Sequence, residues 1–299
     1  MTNETYSRLS CSIALPDDFR VSDVLDFHGR DALAVAELIG VDCLKKGLIC
    51  EGHAACLSIV FRLGHADVEL AIDGSANSDQ DYLENVVRRM LGLNYQIEDF
   101  ENSFRNHPQI GLLIAQHPGL RVPVSATPFE ALTWAITGQQ ISVGAAVSLR
   151  RKLIQVTGVR HSCGLACYPD AECISNLSEE QLCQAGFSTT KAQTLLLLSR
   201  KVMENRLPLD AWVSSLPVDE IREHLLRIRG IGPWTINYAL LRGFGWLDGS
   251  LHGDAAVRRQ LQLLLGSTEK LSEDFTMRWL AEFSPWRAQV AAHLWAAAF

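Results

Sequence analysis

Between two helical patterns the chain reads Ile228-Arg229-Gly230-Ile231-Gly232-Pro233-Trp234-Thr235, and this stretch constrains the fold more tightly than any other. A Gly-x-Gly turn lets backbone amides crowd toward an anion at the N-terminus of the helix that follows. Pro233 suits the first position of that helix, where its missing N–H costs nothing. The pattern is a helix-hairpin-helix, which grips phosphate through N–H groups and the positive end of a helix dipole. Gly230, Ile231, Gly232 and Thr235 are therefore candidate contacts to a nucleic-acid backbone. Taken alone, a Gly-x-Gly is also an ordinary turn between two structural helices.

Charge bears directly on that choice. The net charge of -7 excludes a sequence-blind electrostatic binder of nucleic acid, because such proteins are basic enough to displace counterions from phosphates. The acid is unevenly spread: residues 1–110 hold 9 Lys/Arg against 18 Asp/Glu, whereas residues 111–299 are net +2. A hairpin that uses amides needs little net positive charge, so the balance does not oppose it.

With 299 residues, 47% of them apolar, the chain has enough material for a large core and two or more domains. No run approaches the roughly 18 uncharged apolar residues of a membrane span, and MTNETYSRLS is too polar for a secretory signal, so a cytoplasmic, membrane-free protein is expected. The eight cysteines then read as reduced thiols. Cys163, Cys167, Cys173 and Cys183 lie near His161, but they lack the CxxC pairs that bring two thiolates onto one ion, and are expected to be buried or incidental thiols.

The first hundred residues alternate strand-like runs, such as Cys56–Phe61 and Val68–Ile72, with turn signals such as Asp73-Gly74, and a helix follows near Asp81 to Met90. This predicts an antiparallel α+β domain over 1–112. From His117-Pro118-Gly119 onward the pattern turns to helices with short connections, giving an all-α domain over 113–299. Thr127-Pro128-Phe129-Glu130 opens one helix with an N-cap hydroxyl, a proline and a glutamate set for a capping box; Phe129, Leu132, Ala135 and Ile136 form its apolar face. Further helices are expected near 145–156, 191–204, 218–227, 233–242, 255–265, 272–282 and 285–298.

Gly253-Asp254 stands at the head of a helix, 22 residues beyond Gly232. In this arrangement the sequence resembles the helix-hairpin-helix DNA glycosylase superfamily. The closer resemblance, over nearly the whole chain, is to the 3-methyladenine DNA glycosylase II family. It rests on His117-Pro118-Gly119-Leu120-Arg121, on Ala135-Ile136-Thr137-Gly138-Gln139-Gln140-Ile141-Ser142-Val143, on the hairpin with Trp234-Thr235-Ile236-Asn237-Tyr238, and on Pro285-Trp286-Arg287 with His293-Leu294-Trp295. The resemblance implies a TATA-binding-protein-like first domain ahead of the helical one, and a monomer that flips damaged bases out of double-stranded DNA.

It also implies roles for individual residues. Asp254, by position alone an N-cap, becomes the catalytic carboxylate, placed to stabilise an oxocarbenium-like sugar and to orient water. Trp234 and Tyr238 share a helix face and would be core by spacing alone; the resemblance makes them base-pocket walls, with Trp295 and Phe27, suited to cationic alkylated purines such as 3-methyladenine and 7-methylguanine. Gln139 and Gln140 are expected at the DNA, with Gln140 where the family carries an intercalating apolar side chain, on the helix that meets the minor groove. Backbone carbonyls of Leu226, Ile228 and Ile231 would hold a monovalent cation bridging to phosphate. Trp234 occupies the position of the Schiff-base lysine of strand-cutting relatives, which predicts hydrolysis without lyase activity. Cys183, the last cysteine, precedes the hairpin, so no iron-sulfur cluster is expected. Asp248 reads as a solvated loop residue. Ala255 and Ala256, where the family often has larger side chains, widen the expected pocket. A glycosylase for oxidised or deaminated bases and a non-catalytic damage-binding protein remain the alternatives.

Overall fold

A computed structural model describes residues 6–297. The first part is a five-stranded antiparallel sheet in the order β1-β5-β4-β3-β2, built from β1 (Ser7–Ala14), β2 (Glu37–Ile39), β3 (Cys43–Cys50), β4 (His53–Arg62) and β5 (His65–Ile72). Helix α1 (Val21–His28) lies between β1 and β2, and α2 (Gln80–Met90) follows the sheet. Alternation along the strands puts Ile13, Leu57, Ile59, Phe61, Val68 and Leu70 into a core closed by Leu83, Val87 and Met90 of α2. The two strand-like runs read from the sequence lie inside β4 and β5.

The remaining chain is helical: α3 (Ile97–Phe104), α4 (Ile110–Gln116), α5 (Pro128–Gly138), α6 (Val143–Thr157), α7 (Ala171–Ser175), α8 (Glu179–Gln184), α9 (Thr189–Met203) and α10 (Leu209–Ser215). The C-terminal third adds α11 (Val218–Leu226), α12 (Pro233–Phe244), α13 (Ala255–Leu264), α14 (Glu273–Ala281) and α15 (Arg287–Ala296). The end of the last expected helix, residue 298, lies outside the described residues. One core gathers α5, α9, α11 and α12 around Leu132, Leu195, Leu225 and Leu240. A second joins α12 to α15 with Ile97, Phe100, Ile110 and Leu113. Helices α3 and α4 thus pack with the C-terminal helices, while Ala126 packs with the sheet, so the two cores interleave along the chain.

Thr127 caps α5 as expected, accepting the Glu130 amide at 3.1 Å. The capping box does not form. Glu130 Oε1 is drawn instead to Lys46 Nζ (2.7 Å) and Arg150 (3.0 Å), while Oε2 accepts the Ala126 amide. Lys46, fully buried in β3, also pairs with Glu37 Oε1 at 2.6 Å, and Glu37 is bound in turn by Arg150. Four alternating charges therefore fill the joint between sheet and helices. Each buried charge would cost several kcal/mol alone, and their mutual pairing offsets that cost. The two cations hold the Glu37 carboxyl far below the usual carboxylate range despite its burial.

Candidate active site

The hairpin follows α11 and ends at Gly232, the N-cap of α12. Gly230 has φ +92°, and a Cβ there would meet Thr194 Oγ1 at 2.3 Å, so glycine is needed both for its torsion and for close packing on α9. Two side chains fix the turn from behind: Thr194 donates to the Arg229 carbonyl (3.0 Å), and Gln139 Nε2 donates to the Gly230 carbonyl and to Thr235 Oγ1 (both 2.9 Å). Helix α12 has no side-chain cap at its N-terminus. Its first amides are left for an outside acceptor. Gln139 is thus a brace of the hairpin. Gln140 is not on a helix: α5 ends at Gly138, and Gln140 stands exposed in the following turn at φ +59°. Lys191 of α9, which the sequence did not single out, binds the Thr137 and Gln139 carbonyls at 2.8 Å and fastens that turn to the same frame.

Asp254 caps α13, its Oδ1 accepting the Ala256 and Val257 amides at 3.0 Å. Trp295 Nε1 also donates to Oδ1 (3.2 Å), whereas Trp234 Nε1 donates to Oδ2 (3.0 Å). The carboxylate is clasped by indoles from α12 and α15 and stays half-buried rather than sealed. A carboxylate offers about four acceptor sites. Three of these donors converge on Oδ1, so Oδ2 retains room for a further partner.

Asp248 is not a solvated residue. Arg287 grips it with Nε at 2.7 Å from Oδ1 and Nη2 at 2.8 Å from Oδ2, Ser284 Oγ adds a third bond, and its side chain is only 14% exposed. This fork-to-fork pair anchors the loop leading to Asp254.

The aromatic residues converge on the carboxylate. Trp234 and Tyr238 lie 5.4 Å apart between centroids, and Tyr238 lies 6.4 Å from Trp295. The rings stand too close together for a planar ligand to slip between them. Phe27, from α1, reaches this wall through Arg242, whose guanidinium sits 4.5 Å from the Phe27 ring centre and 5.4 Å from that of Trp295. Arg30 lies 4.3 Å from Phe27 and 4.5 Å from Trp134. Arg242 Nη1 donates to the Pro123 carbonyl, and burial pulls its pKa down to about 10. The sequence reading missed Trp134, Arg30 and Arg242; apart from the contact of Arg30 with nearby Phe27, their partners lie far away in the chain and leave no local pattern. A groove of about 860 Å³ lies between Tyr82, Arg89 and Asp210 and shares no residue with the Asp254 cluster.

An amide-lined hairpin followed by a clasped aspartate, on helices docked to an antiparallel sheet, defines a DNA-repair protein of the helix-hairpin-helix class. The chain belongs to the HhH-GPD superfamily of base excision DNA repair proteins, which matches residues 133–285, and residues 11–127 match the AlkA N-terminal domain. Among relatives, DNA-3-methyladenine glycosylase 2 of Escherichia coli is 30% identical over 190 residues, covering 62% of this chain and 63% of that protein. DNA-3-methyladenine glycosylase of Bacillus subtilis is 23% identical over 212 residues, 70% of each chain. The solved 3-methyladenine DNA-glycosylase from Archaeoglobus fulgidus superposes with a TM-score of 0.82 at 21% identity, over 96% of this chain and 97% of that one. The 8-oxoguanine glycosylase/lyase of Clostridium acetobutylicum, solved with double-stranded DNA, gives 0.72 at 15% identity over 99% and 97%. At such identities the likeness is one of fold.

Proposed function

We propose that this protein is a monofunctional DNA glycosylase that hydrolyses the N-glycosidic bond of alkylated purines flipped out of double-stranded DNA, acting as a cytoplasmic monomer. The observation that carries the reading is Asp254 Oδ2, held by a single indole donor and otherwise free beside an aromatic wall. Glycosidic cleavage develops positive charge on the sugar, and a carboxylate fixed in advance stabilises it without reorganising. The same group can orient the attacking water. The uncapped amides of α12 would take a backbone phosphate, and Gln140, exposed at its turn, would fill the space of the extruded base. The carbonyls of Leu226, Ile228 and Ile231 are neutral oxygen donors of the kind a monovalent cation takes; they would hold it, and its charge would favour a nearby phosphate. Ile228 shares its oxygen with the Ile231 amide at 3.1 Å, which leaves one lone pair for the ion. No iron-sulfur cluster enters this reading.

Base release from lesion-bearing duplexes by wild type and Asp254→Asn tests the proposal. Asparagine keeps the N-cap, so folding and damaged-DNA binding should persist while excision falls at least about 100-fold. Near-normal excision would refute the assignment. Trp234 stands where a Schiff-base amine would be, so borohydride should trap no covalent adduct; a trapped species would overturn the monofunctional reading.

One observation favours a second reading, in which the lesion is a neutral deaminated or oxidised base. Arg242 already places a buried cation over Trp295 and Phe27, and a second cation at those rings would be repelled. A lesion panel separates the two: preference for 7-methylguanine and 3-methyladenine supports the first, preference for hypoxanthine or an oxidised purine the second.

A further inference from the structure

After α6 the chain makes a small turn in which Arg160 pairs with Ala166 and Gly164 takes φ +89°. This turn lies directly on the sheet. A Cβ on Gly47 of β3 would sit 2.1 Å from the Ala166 carbonyl, and Tyr168 donates its amide to Gly47 at 2.9 Å. The contact carries His161 and Cys163 onto Cys56 of β4, which is more than a hundred residues away in sequence. One sulfur or nitrogen atom of each of Cys56, His161 and Cys163 lies within 4.8 Å of the other two. Cys56 and His161 are buried, and Cys163 is exposed. Cys167, also buried, directs its Sγ at the carbonyl of Ala55, the neighbour of Cys56, at 3.8 Å.

We infer that Cys56, His161 and Cys163 form a structural site for a zinc-class divalent ion, with the fourth position left to an outside ligand on the exposed Cys163 side. Thiolates with an imidazole are the donor set of tetrahedral zinc, with Zn–S near ~2.3 Å. Sulfurs on one such ion stand roughly 3.8 Å apart. The histidine is oriented from outside: Asp73 Oδ1 lies 3.3 Å from His161 Nε2, and Asp73 is itself fixed by the Ser162 amide (2.6 Å) and hydroxyl (2.7 Å). Nδ1 accepts the Cys163 amide at 3.1 Å, a bond that the ion would displace. A carboxylate behind an imidazole is the usual support of a zinc-bound histidine. Binding would replace the two thiol protons by the ion and staple the turn to the sheet.

Purified full-length protein, stripped of metal and kept reduced, is titrated with cobalt(II) and then zinc. One ion per chain, the ligand-field bands of tetrahedral cobalt thiolate and a rise in Tm with zinc are expected for wild type. Cys163→Ser and His161→Gln should lose the bands and the zinc-dependent rise, Asp73→Asn should bind about 10- to 100-fold more weakly, and Cys183→Ser should behave as wild type. Cys163, being exposed, can be changed without disturbing the core. No cobalt bands in wild type, bands that persist in Cys163→Ser, or a Cys56–Cys163 disulfide in reduced protein would each overturn the site.

Discussion

Asp254 performs two tasks with one carboxylate, capping α13 through Oδ1 and presenting Oδ2 to the open side. The two indoles divide accordingly. Trp295→Phe keeps an aromatic ring and deletes one of three donors on Oδ1, whereas Trp234→Phe deletes the only donor on Oδ2. A hydrogen bond to a charged group is worth about 1.5–3 kcal/mol, so single-turnover excision should fall roughly 10- to 100-fold in Trp234→Phe and less in Trp295→Phe. Wild-type rates in both variants would reduce the indoles to walls. The hairpin was legible in the sequence, because its glycines and the proline after them follow one another along a short stretch. By spacing alone Asp254 was an N-cap and Trp234 and Tyr238 were core; their site roles, like those of Trp295 and Phe27, came only from resemblance. Arg242, Trp134 and Lys191 stayed hidden, since their partners are brought by folding from distant chain. Cys56 escaped for the same reason: the search for metal ligands looked for local spacing, and its companions arrive across the sheet. Asp248 was misread because a glycine-rich loop suggests solvent, and nothing near it in sequence announces Arg287.

At the scale of elements, the turn between α5 and α6 matters most. Gln140 holds φ +59° there, a conformation that costs a non-glycine residue about 1–3 kcal/mol. Surrounding bonds from Lys191 and Gln139 keep the turn in place, and strain held this way presents a side chain outward. Gln140→Ala should weaken binding to an abasic-site analogue and slow excision, while Gln140→Leu should retain most activity and lose any preference for the base opposite the lesion. Both variants carry the same backbone strain, so the comparison isolates the side chain. If each matches wild type in lesion binding and single-turnover excision, Gln140 does not plug the gap. The longer amphipathic helices were readable from periodicity, as were β4 and β5. Helices α1, α3, α4, α7, α8 and α10 were not, being about two turns long or less and too short to show a period. The capping box failed for a physical reason: the buried Lys46 and Arg150 attract Glu130 more strongly than a backbone amide does.

The whole molecule should lose stability on mild acidification. His293 of α15 is buried against Phe100, and burial holds its pKa down to about 4; His28, buried near Lys46, is also held well below its ordinary value. An unfolded histidine titrates near ~6.5, so the unfolded chain binds more protons between about 6.5 and about 4. Stability is therefore full above that window and falls through it, by roughly 3 kcal/mol for His293. Urea unfolding at stepped pH checks this: His293→Gln should flatten the slope in that window, and an unchanged slope would remove His293 as a source. The Glu37 carboxyl loses its contribution only at lower pH, as acidity overcomes its pairing with Arg150 and Lys46. That same cluster locks the acidic first part of the chain to the nearly neutral helices, and the lock reaches beyond stability. Because the charge is unevenly spread, the field of a polyanion acts unequally on the two parts: residues 1–110, net -9, are pushed away, while residues 111–299, net +2 and carrying the hairpin, are not, so the asymmetry itself biases which part turns toward it.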